Sequence, residues 1–145
     1  MTARLAACIL TLSVAASCGC SKEAEKKVAM RKACLAKIGL AYHGYYSANG
    51  QSPNGIEELA TYLEKNAKAD DEVASESANR LRDGDIVMFW NVVLNDDGDE
   101  NEKYVLGFEA AVPRAGGYLV TGGGSVQLVS PKSFGEYKEF PVRQE

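Results

Sequence analysis

The first third of the chain contains a long helical pattern, which restricts the possible folds more than any other segment does. From Glu23 to Ala48 the apolar residues recur at spacings of seven, three, four and three, which places them along one face of an α-helix. These residues are Val28, Leu35, Ile38, Tyr42 and Tyr45. The basic residues fall mainly on the other side: Lys26, Lys27, Arg31 and Lys32. Asn49 and Gly50 then predict the end of the helix, because both tolerate positive φ.

The sequence that follows predicts a second, shorter helix. It opens at 52–55 and carries its apolar residues on one face: Ile56, Leu59, Ala60 and Leu63. Residues 66–77 are polar and small, so they predict a loop, and residues 78–82 add one turn of helix before the next change in pattern.

Four segments rich in β-branched and aromatic residues predict a small antiparallel sheet. They are 85–94, 103–111, 118–121 and 125–129. The glycines at 122–124 are typical of a tight hairpin between the last two, and 131–140 predicts a short terminal helix or an irregular cap. This order indicates a single α+β domain, with the long N-terminal helix packed on the sheet. We expect the helix to cover Ile86, Met88 or Val87, Trp90 and Val105.

The composition suits one globular domain and excludes several functional classes. The chain has 145 residues, of which 46% are hydrophobic and 25% charged, close to the average for soluble proteins. A formal net charge of −4 argues against a nucleic-acid partner, which would select a basic face. The single His excludes a metal centre built from several imidazoles, and no cofactor is expected.

The N-terminus predicts export. Residues 5–16 form a twelve-residue apolar run of about 18 Å as a helix, whereas a membrane core is roughly 30 Å thick, so the run fits a signal peptide. The motif Ala15-Ala16-Ser17-Cys18 resembles a bacterial lipobox, which predicts cleavage before Cys18 and acylation of its sulfur. Cys20 is the alternative, and a non-lipidated secreted or unprocessed chain is another. The predicted organisation is a signal peptide at 1–17, a charged tether at 18–27 and one domain at 28–145.

Few other residues invite a chemical role. The acidic turn at 95–101 is typical of a solvated hairpin, and its spacing does not fit an EF-hand. The alternative left open is a calcium site on Asp96, Asp97 and Asp99. The glycines at 116–117 and 122–124 lack the Lys and the helix of a phosphate loop, so they predict turns.

Two residues on the long helix, His43 and Cys34, could have either a structural or a chemical role. His43 predicts a packing or hydrogen-bonding role, and Cys34 predicts a small core residue. A bridge from Cys34 to Cys20, a reactive thiol, and a small hydrolase using His43 with Cys34 are the alternatives. The tyrosines of the two helices favour a core role over a sugar-binding surface: Tyr42, Tyr45, Tyr46 and Tyr62.

Two blocks of the sequence resemble a known family. The segment Cys34-Leu35-Ala36-Lys37-Ile38-Gly39-Leu40-Ala41-Tyr42-His43-Gly44-Tyr45-Tyr46, followed by Ala48-Asn49-Gly50 and Pro53, is similar to a stretch after the pilin helix of planctomycete-type prepilin-like proteins of unknown function. The Gly116–Val120 and Gly124–Val126 segments, with Phe134 after them, are similar to that family's C-terminal hairpin. The prepilin leader and its apolar helix are absent, and the family's C-terminal His and Asp fall on Pro113 and Gly123.

The resemblance implies a pilin-like (pseudopilin-like) globular head and no catalytic residues. Together with the lipobox, it predicts a non-catalytic lipoprotein anchored to a membrane on its extracytoplasmic side, either periplasmic or at the cell surface. Its expected role is structural or binding, in the cell envelope, with the membrane and other envelope proteins as partners. An accessory component of a secretion or pilus-like assembly is the alternative.

Overall fold

The computed structural model describes residues 18–95 and 98–140. The signal peptide predicted at 1–17 therefore lies outside the described residues. Within these ranges, no helix has both the length and the hydropathy required to cross a membrane.

Helix α1 (Cys18–Asn49) is the long helix that the periodicity predicts. Its buried residues begin at Cys34 and include the predicted Leu35, Ile38 and Tyr42. Val28 was predicted to belong to the same face but is 43% exposed, because the rest of the domain packs only on the later turns of α1. Residues 21–29 are all exposed, so the segment predicted as a tether is a projecting part of the helix.

Two shorter helices pack beside α1. Helix α2 (Ile56–Asn66) buries Leu59, Ala60 and Leu63 as predicted, while Ile56 is partly exposed. Helix α3 (Glu72–Arg82) occupies the segment predicted to be mostly loop, so that prediction is wrong.

The helix forms there for two reasons, one local and one that depends on packing. The Asp71 carboxylate caps its N-terminus by accepting the Ala74 backbone N–H at 3.0 Å. Its small residues Ala74, Ser77 and Ala78 are completely buried, because they allow α3 to approach its neighbours closely.

The sheet contains four antiparallel strands in the order β1-β2-β3-β4. They are β1 (Ile86–Met88), β2 (Tyr104–Glu109), β3 (Gly117–Thr121) and β4 (Val126–Val129), with the short helices α4 (Gly98–Asn101), α5 (Val112–Ala115) and α6 (Pro131–Phe134) between or after them. A fifth strand, β5 (Lys138–Glu139), runs parallel to β2 and pairs with Tyr104 and Val105, where β1 no longer does. The predicted hairpin is β3–β4.

Strand β1 is much shorter than the predicted 85–94. The Phe89 N–H still donates to the Leu106 carbonyl oxygen of β2 at 2.9 Å, but the Phe89 carbonyl accepts a hydrogen bond from the Tyr42 hydroxyl at 3.1 Å, and the chain then leaves the sheet. The segment that follows runs toward the C-terminal end of α1. This departure creates one wall of the cleft described below.

The two faces of the sheet bury separate clusters, as alternation along a strand requires. The face under α1 holds Leu35, Ile38, Tyr42, Leu106 and Val120, together with Ile86 and Met88. The opposite face holds Val105, Val112, Leu119 and Val129, covered in part by Phe134 and Tyr137. Val105 therefore faces away from α1, contrary to the prediction, and Val87 is 40% exposed. The predicted α+β architecture, a long helix on a small antiparallel sheet, is confirmed.

Candidate functional site

Cys34 and His43 lie on opposite sides of α1. They are nine residues apart, which corresponds to about 13 Å along the axis and half a turn around it. Cys34 is completely buried, and burial raises the pKa of its thiol; the hydrogen bond with Ser77 and the charge of Arg80 offset this only in part. His43 donates from Nε2 to the Gly122 carbonyl oxygen at 2.8 Å. The structure does not bring together the two residues that the hydrolase alternative requires.

A bridge between Cys34 and Cys20 does not form. Cys34 is a free thiol. Both residues belong to α1, and fourteen residues of helix separate their Cα atoms by roughly 21 Å. A disulfide requires Cα atoms within about 7 Å of each other.

The candidate calcium ligands are only partly described. Asp96 and Asp97 lie outside the described residues, and Asp99 is in the short helix α4. Over residues 18–95 and 98–140, no three His, Cys, Asp or Glu side chains are grouped so that they could hold a metal ion.

The four tyrosines do not form one surface. Tyr42 is completely buried and stacks on Trp90, with ring centroids 6.5 Å apart. Tyr45 and Tyr62 pack edge to face against each other at 5.6 Å. Tyr46 alone among them lines the cleft that we regard as the candidate site.

This cleft lies at the C-terminal end of α1 and has a volume of about 460 Å³. Its polar lining residues come from three segments of the chain: Tyr46, Gln51, Ser52, Asn54 and Asn91. Val92 and Val93 complete it, and none of the described residues that line it is charged. Volumes of roughly 300–1,000 Å³ with a few placed polar groups are typical of small-molecule sites.

Hydrogen bonds hold the two walls of the cleft in place. The buried Ser52 hydroxyl donates to the Val92 carbonyl oxygen at 2.5 Å, and the Asn91 N–H donates to the Pro53 carbonyl oxygen at 3.4 Å. The Tyr42 hydroxyl fixes the start of the 89–94 segment, as described above. The cleft is therefore preformed rather than assembled by a ligand.

Asn91 adopts an uncommon backbone conformation in this wall. Its φ is +57°, in the left-handed region that non-glycine residues rarely occupy and that Asn tolerates best. Such strain concentrates at functional sites, because the surrounding structure must maintain it. The Ser52 and Pro53 hydrogen bonds supply that support.

Among residues 18–95 and 98–140, several polar groups of the cleft have no intramolecular partner. They are the Tyr46 hydroxyl and the side-chain amides of Gln51 and Asn91. Asn54 differs, because its backbone N–H and side-chain N–H₂ donate to the Glu58 carboxylate at 2.9 and 3.4 Å. These bonds, with one from Tyr45, hold the pKa of Glu58 below its usual range, so an anionic group lies beside the cleft.

Sequence reasoning missed this cleft. Its residues lie on the last turn of α1, in the loop before α2 and in a segment predicted to be a strand. One weak indication of it was present in the sequence: Tyr46 was among the tyrosines considered for a sugar-binding surface. Nothing in the sequence marked Asn91, whose position depends on where β1 ends.

A second polar cluster surrounds a buried carboxylate. The Glu109 side chain, 4% exposed, accepts hydrogen bonds from Arg31 Nε at 2.7 Å and Nη2 at 2.5 Å, from Arg80 Nη2 at 3.3 Å and from the Tyr118 N–H at 2.9 Å. These partners belong to α1, α3 and β3, so the carboxylate joins three elements to the end of β2. Since its lone pairs are used internally, we assign this cluster a structural role.

No protein family, curated protein or solved structure matches the chain. The geometry of its own residues is what indicates a function. The arrangement they form is a preformed, uncharged cleft with free hydrogen-bonding groups, which suits recognition of a neutral polar ligand.

Proposed function

We propose that this chain is a non-catalytic lipoprotein of the extracytoplasmic side of a membrane, in which a helical stalk carries a binding head. The observation that supports this most is the exposed start of α1. Residues 21–29 are exposed on all sides, although a helix that belonged to the domain core would bury one face. This segment directly follows the two candidate lipidation sites, Cys18 and Cys20.

The stalk is the part of α1 that comprises residues 18–30, and helix geometry gives its length. Thirteen residues separate Cys18 from Arg31, the first residue of α1 that bonds to the sheet, which corresponds to about 20 Å of helix. The stalk is charged, with Glu23 and Lys27 paired at 3.3 Å, as suits a helix surrounded by water. Tyr46 lies at the other end of α1, so the cleft would face away from the anchored membrane.

The proposal predicts that anchoring depends on Cys18. Replacing it (Cys18→Ser) should abolish incorporation of labelled palmitate and release the chain from the membrane fraction, because the attached acyl chains would be its anchor. Fractionation of cells expressing the full chain, followed by immunoblotting, measures this. No helix within residues 18–95 and 98–140 has the length and hydropathy to cross a membrane.

Cys20→Ser is the matched control and should keep both label and membrane association. Loss of label in Cys20→Ser alone would move the lipidation site to Cys20. Absence of label from the unmodified chain, or membrane retention in both single variants and the double variant, would contradict the lipoprotein proposal.

A further inference from the structure

We infer that the cleft at the end of α1 binds a neutral oligosaccharide; this inference rests on the proposed binding role of the head. The cleft is lined by Tyr46, Gln51, Asn54 and Asn91 together with Ser52 and two valines. Three properties of the cleft support the inference. Its side chains have free hydrogen-bonding groups, its described lining residues carry no charge, and the backbone groups of its wall already have hydrogen-bond partners.

The free groups match sugar hydroxyls in kind. A side-chain amide offers a carbonyl acceptor and two N–H donors, and a phenol both donates and accepts. Each hydroxyl of a sugar likewise donates and accepts. The amides of Gln51 and Asn91 and the hydroxyl of Tyr46 have no partner in the described part of the chain, so a ligand can use them fully. The half-buried Tyr46 ring also supplies an apolar face for the C–H groups of a pyranose ring.

The electrostatics favour a neutral ligand. No described residue of the lining is charged, so an anion would be desolvated without a counter-charge. The ionised Glu58 carboxylate beside Asn54 and the net charge of −4 would repel it further. The same carboxylate already accepts hydrogen bonds from Asn54 and Tyr45, which satisfies it without a cationic ligand.

The backbone of the cleft argues against a peptide ligand. Extended peptides commonly add to an unpaired strand edge, which supplies backbone donors and acceptors. Here the Asn91 N–H already bonds to the Pro53 carbonyl, and the Val92 carbonyl accepts from Ser52. Asn91 is moreover in a left-handed conformation that interrupts any extended edge. Recognition therefore falls to side chains.

The test is a binding titration with the full chain in a detergent that has no sugar headgroup. The probes are chitotetraose, cellotetraose and maltotetraose, with tetragalacturonate as the acidic comparison and blocked tetra-alanine as the peptide comparison. Trp90, the single tryptophan, precedes Asn91 and gives a fluorescence readout, and calorimetry gives an independent one. We expect at least one neutral tetrasaccharide to bind and neither comparison probe to do so.

Variants of the cleft locate that binding. Asn91→Gly removes the amide but retains access to positive φ, so the wall should keep its shape. Asn91→Gly and Gln51→Ala should each weaken binding about three- to ten-fold, the effect of one lost hydrogen bond. Tyr46→Ala should weaken it about ten-fold or more, since it removes both ring and hydroxyl. The matched controls Tyr137→Ala, on the opposite face of the sheet, and Asn66→Ala, at the end of α2, alter the same residue types outside the cleft and should leave the affinity unchanged.

Three results would overturn the inference: no binding of any neutral tetrasaccharide, equal binding to the cleft variants and the controls, or preference for the peptide. Thermal unfolding of each variant shows whether its fold is intact. None of these results affects palmitate labelling or membrane association, so failure of the oligosaccharide assignment is distinguishable from failure of the lipoprotein proposal.

Discussion

Replacing Glu109 with Ala is expected to lower the free energy of unfolding by about 3–5 kcal/mol, the usual loss when one partner of a buried charge cluster is removed. The variant leaves Arg80, whose side chain is 14% exposed, without its buried counter-charge, and it leaves the Tyr118 N–H without an acceptor. Since small domains are stable by only about 5–15 kcal/mol, the loss should be plain in urea denaturation.

Two further variants show whether burial causes the effect. Glu136 is exposed, and Glu136→Ala should change stability by less than about 0.5 kcal/mol. Arg31→Ala should cost less than Glu109→Ala, because the Arg31 side chain is 42% exposed and Arg80 would still pair with the carboxylate. A loss below about 1 kcal/mol for Glu109→Ala would contradict the structural role of the cluster.

The same carboxylate should make stability depend on pH. Burial raises the pKa of Glu109, but the hydrogen bonds from Arg31 and the Tyr118 N–H outweigh burial and hold the pKa below its ordinary value of 4.5. Its contribution is therefore complete above the unfolded-state pKa and is lost as pH falls through the folded-state pKa. The difference in unfolding free energy between the native chain and Glu109→Gln should shrink between about pH 6 and about pH 3. A difference that grows on acidification would contradict this assignment.

Truncating Tyr42 should have an effect of similar size. Tyr42→Ala removes a completely buried ring that stacks on Trp90 and a hydroxyl that bonds to the Phe89 carbonyl, so we expect a loss of about 3–5 kcal/mol. Tyr42→Phe keeps the ring and should cost about 1 kcal/mol, the contribution of one hydrogen bond. Urea denaturation followed by Trp90 fluorescence measures both changes.

Tyr45→Ala is the control for this prediction. Tyr45 is the near neighbour of Tyr42 on α1, but its ring packs on Tyr62 at the surface rather than in the core. Its removal should cost much less than that of Tyr42. Equal losses in the two variants would show that the core does not centre on Tyr42 and Trp90.

Local patterns in the sequence were enough for the architecture. The spacing of Leu35, Ile38 and Tyr42 predicted the buried face of α1, and the three glycines at 122–124 predicted the β3–β4 hairpin. Both features depend on neighbouring residues alone. Periodicity extended the buried face too far, to Val28, because it does not show where the packing partners end.

Helix α3 shows why composition misled the prediction for 66–77. Polar and small residues are typical of loops, but here Asp71 caps a helix and Ala74, Ser77 and Ala78 serve close packing. That role depends on neighbours from elsewhere in the chain, which a local pattern does not reveal.

The Glu109 cluster and the cleft could not be predicted either, because both depend on contacts between distant parts of the chain. Arg31 was assigned to the solvated side of α1, yet it bonds to a carboxylate 78 positions further along the chain. The cleft joins Gln51 to Asn91 only because β1 ends at Met88.

The mature N-terminus is the most informative test of a head carried on a lipid-anchored stalk. Mass spectrometry of the chain isolated from membranes identifies both its first residue and any attached lipid. We expect the isolated chain to begin at Cys18 and to carry acyl chains on that residue. A chain that keeps residues 1–17, or one without any acyl group at Cys18 or Cys20, would contradict this expectation.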